Sequence, residues 1–268
     1  MERSVLRVGT DYLGFRLGSW VAEIGRVTLM VRDIVKTVIG RRPAARLVVD
    51  QMGTIGVGSL GLVIVVSLFT GAVAAVQAAY QFSNVVPLRF LGAVILRSVV
   101  IELGPVLTAL VVGGRVGAAI AAELGTMKVT EQIDALRAMG INPIRYLIVP
   151  RIVAATLMLP VVTIFADAIA VFGGFVVGVL TIGVGAGTYV NSIKDYFYLK
   201  DVFSGLIKAV CFGNIIGTMG CFYGVSTEGG AEGVGAATTR AVVSSCVLVL
   251  ITDYLLASVL FRIIFAQK

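Results

Sequence analysis

The sequence predicts an all-α integral membrane protein: an N-terminal interfacial amphipathic helix, five transmembrane helices, and a short surface helix between spans two and three. Of its 268 residues, 58% are hydrophobic and only 14% are charged, whereas an ordinary soluble domain carries about 25% charged residues. Several apolar stretches reach the roughly 20 residues that a membrane-spanning helix needs. The 32 glycines are typical of helices that pack closely in lipid.

Residues 1–50 form the first predicted domain, an interfacial helical segment. Apolar residues recur at helical spacing between Trp20 and Val38, but charges such as Arg26 and Asp33 interrupt them too often for a membrane span. An amphipathic helix lying at the membrane surface fits this pattern. The alternative is a cleaved targeting peptide, against which the acidic residues and the lack of a compact apolar core argue.

Residues 51–268 form the predicted transmembrane domain. Its spans lie at about 53–78, 90–113, 148–182, 202–222 and 241–262, each long enough to cross a bilayer. A loop with Lys194, Asp195, Lys200 and Asp201 joins spans three and four. A glycine-rich loop, GVSTEGGAEGVGAATTR, precedes the fifth span.

The distribution of Lys and Arg predicts the orientation. Nine of these residues lie within 1–50 and five lie between 115 and 151, and five spans place both segments on one side. Since basic residues favour the cytoplasmic side, the N-terminus and residues 115–146 are expected there, with the 183–200 loop and the C-terminus periplasmic. The net charge of +7 is then mostly a topology signal, and nucleic-acid binding is a poor explanation for it.

The residues that the chain lacks exclude several chemistries. It has no histidine, and its three cysteines show no CxxC spacing, so a zinc site, a haem site or a histidine-based triad is not expected. No GxxxxGK[ST] motif occurs, so the chain has no P-loop of its own. Any ATP and Mg²⁺ would bind to another subunit, and no cofactor, metal or catalytic residue is predicted in this one.

The polar segment between spans two and three has a two-faced helical pattern over about 123–139. Its apolar face holds Val129, Ile133 and Leu136. Its polar face holds Thr130, Glu131, Asp134 and Arg137. Gly140 suits the C′ position that ends a helix, and Asn142 followed by Pro143 suits the N-cap and first turn of the next. A solvated connector and a docking helix for a cytoplasmic partner both fit, and the missing nucleotide site favours docking.

Five charged residues lie inside predicted spans: Arg97, Glu102, Asp167, Lys208 and Asp253. Each costs about 2.5 to 3.5 kcal/mol at the centre of a bilayer, so such residues usually face protein or water. One interpretation is an internal ion pair, with Lys208 on span four bonded to Asp253 on span five. The other is a polar lining that meets a lipid headgroup, and Glu102 is expected near a central cavity. Pro105, after Gly104, is expected to break span two.

Two stretches resemble the MlaE/YrbE permease family, the membrane subunits of ABC-type lipid transporters. They are IELGPVLTALVVGGRVGAAIAAELGTMKVTEQIDALRAMGINPIRYLIVPR and GVSTEGGAEGVGAATTRAVVSS. The resemblance runs from about residue 45 to the C-terminus, over most of the chain. It departs from the family at Ile101, where members carry Arg before the Glu of ELGP. Arg97, five positions before Glu102, is poorly placed to contact it.

The resemblance implies a phospholipid permease that works between the inner and outer membranes and maintains lipid asymmetry. It further implies a homodimer in a bacterial inner membrane, with a cytoplasmic ATPase dimer and a periplasmic ring of MCE-domain protein, and it allows for a small STAS-domain subunit. Residues 123–139 would be the coupling helix. The partner-coupling residues would be Glu123, Lys128, Glu131, Asp134 and Arg137. The residues of the lipid path would be Arg97, Glu102, Lys208 and Asp253.

Two other functions stay open at this point. An ion- or proton-coupled secondary transporter or channel would use the charges within the membrane, but five spans do not divide into two equal halves. A scaffold that only anchors partners would have no need for buried charges. The glycine pairs Gly113-Gly114 and Gly173-Gly174 would permit close helix approach in a dimer without locating the interface.

Overall fold

The computed structural model describes residues 22–23, 25–37, 45–82 and 86–265, and this part of the chain contains helices and no strand. The eight helices within these ranges are numbered here in chain order. They are α1 (25–37), α2 (Ala45–Phe82), α3 (Leu88–Val129), α4 (Gln132–Ala138), α5 (Ile144–Leu180), α6 (Ala186–Tyr196), α7 (Leu199–Val225) and α8 (Gly230–Ile263).

The five membrane spans are confirmed as α2, α3, α5, α7 and α8, which are long and apolar enough to cross a membrane. They are longer than predicted: α3 has 42 residues, or roughly 60 Å at 1.5 Å per residue, about twice the apolar thickness of a bilayer. The predicted boundary between residues 50 and 51 falls inside α2, so the first span is continuous with the end of the N-terminal segment.

Helix α1 carries part of the predicted interfacial helix. Leu29, Val31 and Val35 are exposed on it beside charged residues, while Ile34 is buried. Apolar side chains left open on a short charged helix are typical of an element that lies at a membrane surface. The predicted segment before residue 22 lies outside the described residues.

Span two is not broken at Pro105, which corrects the expectation from sequence. Helix α3 continues through the proline because the backbone widens into a π-turn at Val99–Leu103, and an α-helical stretch restarts at Gly104. A second π-turn follows at Gly113–Gly117. Such turns insert a residue and rotate the side chains that follow, so positions on α3 do not keep one helical register.

Glycines bring α2 and α5 into close contact. A Cβ atom on Gly71 would overlap the carbonyl oxygen of Ala170, and one on Gly173 would overlap the carbonyl oxygen of Leu68. Gly113 faces Ile216 of α7. Gly113 and Gly173 therefore serve contacts within one copy of the chain, and α5 packs along both α2 and α7.

The segment 183–200, predicted to be a loop, contains the helix α6, because apolar side chains of this segment pack against the membrane-spanning helices. Tyr189 of α6 is fully buried and meets Phe175 edge to face, with ring centroids 5.4 Å apart. The backbone N–H of Ala93 donates a hydrogen bond to Ser192 Oγ at 2.8 Å. Helix α6 thus closes one end of the bundle, which is called the α6 end below. Helix α4 lies at the opposite end, which is called the α4 end.

The glycine-rich stretch before the fifth span is also mostly helical, which corrects its assignment as a loop. Helix α8 begins at Gly230, after a turn in which Gly229 and Gly230 have φ values of 86° and 70°. Only glycine adopts such values without strain. The fifth helix consequently starts 11 residues before the predicted position of 241.

Helix α8 is the least covered of the five spans. Among the 18 most apolar consecutive residues of α8, only 11% are buried. The same measure for α7 is 56%. It packs against α7 and α3 on one side. Val243, Val247, Leu250 and Tyr254 are exposed along it.

Candidate functional site

A lysine lies completely buried where α3, α7 and α8 meet. Lys208 Nζ on α7 donates a hydrogen bond to Glu102 Oε2 of α3 at 2.5 Å. The same nitrogen lies 2.9 Å from Asp253 Oδ1 of α8, an ion pair by distance that lacks hydrogen-bond geometry. The predicted pairing of Lys208 with Asp253 is therefore present, with Glu102 as an additional member.

Local backbone features position this charge cluster, defined as Glu102, Lys208 and Asp253. Glu102 lies in the π-turn Val99–Leu103. Gly205, one helical turn before Lys208, lets α7 approach α3 so closely that a Cβ atom would overlap the carbonyl oxygen of Val100. The widened turn on one helix and the missing side chain on the other bring the lysine within reach of Glu102.

The cluster has two carboxyl groups for one ammonium group, and the three side chains differ in exposure. The Lys208 side chain is 0% exposed, Asp253 is 21% exposed and Glu102 is 44% exposed. A fully buried cation requires a counter-charge because its desolvation is costly. Glu102 supplies that charge and also presents a polar surface outside the core of the single chain.

Arg97 does not contact Glu102, as the sequence indicated. Its Nε donates a hydrogen bond to Asp201 Oδ2 of α7 at 2.9 Å, and its guanidinium carbon lies 5.6 Å from the centre of the Tyr198 ring. Asp201, expected in a loop, lies in the first turn of α7 and is 3% exposed. This pair ties α3 to α7 nearer the α6 end.

Asp167 on α5 stands apart from these pairs. Its Oδ1 atom is buried and has no hydrogen-bond partner within the described part of the chain. It lies against the backbone of Gly104, where a Cβ atom would overlap it. Asp167 therefore packs between α5 and α3 without joining the charge cluster.

The predicted surface helix 123–139 is not continuous, which corrects its bounds. Helix α3 runs on to Val129, and Glu131 then adopts a left-handed conformation with φ of 60° before α4 starts at Gln132. The turn separates Val129 from the apolar face that was expected to contain it: Val129 is 38% exposed, whereas Ile133 is 3% exposed. Residues 123–129 belong to the long helix α3, and only α4 lies across the end of the bundle.

The end of α4 agrees with the sequence interpretation. Gly140 has φ of 75°, its N–H donates to Arg137 O at 3.0 Å, and the Ile141 N–H donates to Leu136 O at 3.0 Å. These two bonds define a Schellman motif. The N–H of Ile144 donates to Asn142 Oδ1 at 3.0 Å, so Asn142 caps α5 as expected.

Three of the predicted partner-coupling residues bond to one another. Lys128 Nζ donates to Asp134 Oδ2 and Arg137 Nη1 donates to Asp134 Oδ1, both at 3.0 Å. The hydrogen bond from Lys128 holds the pKa of the Asp134 carboxyl below its ordinary value, and the nearby Arg137 acts in the same direction. Glu131 is exposed and forms no ion pair with any described residue.

Glu123 pairs with a residue that the sequence interpretation did not select. Arg151 Nη2 of α5 lies 2.6 Å from Glu123 Oε1, and Arg151 Nη1 donates to Leu147 O at 2.7 Å. The Arg151 side chain is 4% exposed and the Glu123 side chain is 50% exposed. In the sequence, Arg151 is one of several basic residues near the ends of spans. The pair with Glu123 could not be predicted, because helical spacing relates only residues on the same helix.

The comparisons with known proteins agree with this architecture. The family model described as Permease MlaE matches residues 48–259. A "probable ABC transporter permease protein" of Rickettsia typhi is 44% identical over 217 residues, which cover 81% of this chain and 84% of the relative. A protein of the same description from Synechocystis is 37% identical over 246 residues, covering 92% and 94%. Protein TRIGALACTOSYLDIACYLGLYCEROL 1, chloroplastic, of Arabidopsis thaliana is 36% identical over 236 residues, covering 88% and 67%.

Proposed function

The chain belongs to the MlaE permease family, and we propose that it moves phospholipid between two membranes, driven by a separate ATPase. Its relatives are described as probable ABC transporter permeases, so the chain is a multi-pass membrane protein that serves as a transport subunit. The absence of a P-loop motif from the sequence supports hydrolysis by a partner. The plant relative carries the name of a galactolipid, which supports a lipid as the cargo.

The observation that carries this proposal is the charge cluster. Buried charge within a membrane protein usually marks a substrate or ion pathway. The half-exposed Glu102 and the partly exposed Asp253 give the cluster an open polar side that a headgroup can reach. A lipid chain needs an apolar path beside that polar side, and the exposed apolar residues of α8 would line one between two copies of the chain.

A homodimer completes this arrangement in our proposal. The exposed apolar residues along α8, together with its low burial, favour a second copy of the chain as the cover. Two copies facing one another through α8 would enclose a path lined by both charge clusters. Cross-linking of cysteines placed at Val247 in the two copies tests this: a covalent dimer in membranes supports it, and only monomer contradicts it.

The α4 end is proposed to be cytoplasmic and to bind the ATPase, with a periplasmic MCE-domain protein at the α6 end of a bacterial inner-membrane complex. Basic residues concentrated at the α4 end support this orientation. Glu131 is exposed on this surface and forms no ion pair with a described residue, and it is proposed to face the ATPase. Impermeant thiol labelling of a cysteine at position 130 in a background free of native cysteines should occur only after the membrane is opened.

Co-purification tests the coupling role. Glu131→Lys reverses a charge without breaking an existing ion pair, unlike a change at Asp134. Like charges facing each other across an interface cost several kcal/mol, so recovery of the co-expressed ATPase should fall strongly. Asn191→Lys, an exposed position on α6, adds a lysine at the opposite end as the matched control. Equal recovery with both variants would reject Glu131 as a contact, and no ATPase with the parent would favour an ion-coupled transporter.

A further inference from the structure

A polar cavity lies at the α4 end, away from the charge cluster. It has a volume of about 270 Å³ and is bounded by α1, the last turn of α7 and the first turns of α8. Since α7 ends at Val225 and α8 begins at Gly230, the cavity lies where two membrane spans are joined. Helix α1, which lines one side of the cavity, also exposes the apolar side chains of Leu29 and Val35. These features place the cavity at the depth of lipid headgroups.

Two arginines line this cavity from different helices. Arg26 reaches it from α1 and Arg240 from α8, and both are exposed. Neither forms an ion pair or a side-chain hydrogen bond with any residue in the described ranges. A guanidinium group presents paired N–H donors whose geometry matches the oxygens of a phosphate. The cavity thus has two guanidinium groups without a partner among the described residues, and both can bind one anionic group.

Two carboxylates share the cavity with the arginines. Glu23, which precedes α1, is held in place because Tyr223 Oη donates a hydrogen bond to its Oε1 at 2.8 Å and also lies 2.8 Å from Ser244 Oγ of α8. Glu228, in the turn between α7 and α8, is exposed and also lines the cavity. Neither carboxylate pairs with an arginine although all four charged side chains line one cavity. This combination of separated positive and negative groups is complementary to a zwitterion.

We propose that this cavity binds the phosphate of a phospholipid headgroup, with Arg26 and Arg240 on the phosphate and Glu23 and Glu228 beside the headgroup amine. The site goes beyond the proposed transport path, which lies at the charge cluster, and it depends on the proposed function only for its cytoplasmic orientation. The shared chemistry is a phosphate group, which free inorganic phosphate could also supply.

The test is photolabelling of the purified chain in maltoside micelles, which contain no phosphate. The probe is a phosphatidylethanolamine with a photoactivatable group near its headgroup, and mass spectrometry identifies the labelled peptide. The parent should be labelled within residues 223–240. The double variant Arg26→Gln with Arg240→Gln should lose at least about tenfold of this label, because two charge-assisted contacts are removed. Arg46→Gln, which removes an exposed arginine of α2 outside the cavity, should be labelled like the parent.

Competitors distinguish the two sources of phosphate. An excess of unlabelled short-chain phosphatidylethanolamine should abolish the labelling. If inorganic phosphate at the same concentration also abolished it, the site would bind soluble phosphate instead of a lipid. A phosphatidylglycerol probe should label the parent more weakly, and Glu228→Gln should reduce that difference. The variant Arg26→Lys with Arg240→Lys keeps the charge and checks folding, since it should retain part of the label.

Two results would overturn the proposal. One is equal labelling of the parent and the double glutamine variant. The other is equal labelling of residues 223–240 by a diacylglycerol probe that lacks phosphate. Neither the ATPase nor transport enters this assay, so its failure would leave the transport proposal standing, and failure of ATPase binding would leave this result unchanged.

Discussion

The charge cluster inside the bundle and the ion pairs at the α4 end share one arrangement, a central charge between two charges of the opposite sign, with the signs exchanged. Inside, one cation, Lys208, lies between the carboxylates of Glu102 and Asp253. At the α4 end, one carboxylate, Asp134, lies between the cations of Lys128 and Arg137. The central group is 0% exposed in the first case and 46% exposed in the second. The distances between the charged atoms therefore do not tell which site contributes more to stability. The exposure of the central group does.

The physical reason is the cost of leaving a charge without a partner. Water solvates an exposed ion when its partner is removed, so exposed ion pairs contribute little to stability. A buried ion has no such replacement. We expect the charge cluster to govern stability and the passage of cargo, and the α4 end to govern partner binding with little effect on stability.

The largest effect is expected for Lys208→Met. It leaves two carboxyl groups near one another without a cation, and breaking a buried pair costs about 3 to 5 kcal/mol. The melting temperature of the purified protein in detergent measures this. The triple variant Lys208→Met, Glu102→Gln and Asp253→Asn removes all three charges and should recover most of the loss. A triple variant no more stable than Lys208→Met would show that packing, not charge, is responsible.

The ion pair of Glu123 with Arg151 joins an exposed charge to a buried one, so it tests the effect of exposure within a single pair. Glu123→Gln leaves the buried Arg151 without its counter-charge, whereas Arg151→Met leaves a half-exposed carboxylate that water can solvate. The first change should cost about 1 to 3 kcal/mol, the penalty for leaving a buried polar group without its partner, and the second should cost less. Thermal unfolding of both variants tests the order. The reverse order would mean that loss of the arginine side chain from its packed position outweighs the charge.

Glu131→Gly should stabilise the turn before α4. Glu131 has a left-handed backbone conformation with φ of 60°, which costs a non-glycine residue about 1 to 2 kcal/mol relative to glycine. Part of that gain is offset by the greater freedom of glycine in the unfolded chain. Thermal unfolding should show a small increase in melting temperature, and Gln132→Gly, one residue later within α4, should show a decrease.

Asp134→Asn should have the smallest effect and a defined pH dependence. The pKa of Asp134 in the folded protein lies below its ordinary value of 3.8. Its contribution is therefore present above that value and is lost as the pH falls through the lower pKa of the folded state. The small difference in melting temperature between parent and variant should stay constant from about pH 8 to pH 5 and disappear in stronger acid. A difference that changes near pH 7 would contradict this assignment.

Features that depend on neighbouring residues in the sequence could be predicted, and those that depend on tertiary contact could not. The five spans, Gly140 and the Asn142 cap follow from composition and turn chemistry. Glu102 could not be assigned to Lys208, because the π-turn at Val99–Leu103 rotates it away from the regular helical register. The Arg97–Asp201 pair joins residues 104 positions apart. Val129 was misplaced because the left-handed residue Glu131 interrupts the helical pattern.

The division of roles between the two regions is tested most directly by one measurement on two variants. Glu102→Gln and Glu131→Lys are each reconstituted with the ATPase in proteoliposomes, and lipid transport is measured together with the amount of ATPase bound. The account predicts that Glu102→Gln binds the ATPase like the parent but transports much less lipid, whereas Glu131→Lys loses both because the ATPase is not retained. Parental transport by Glu102→Gln, or release of the ATPase from it, would contradict the account.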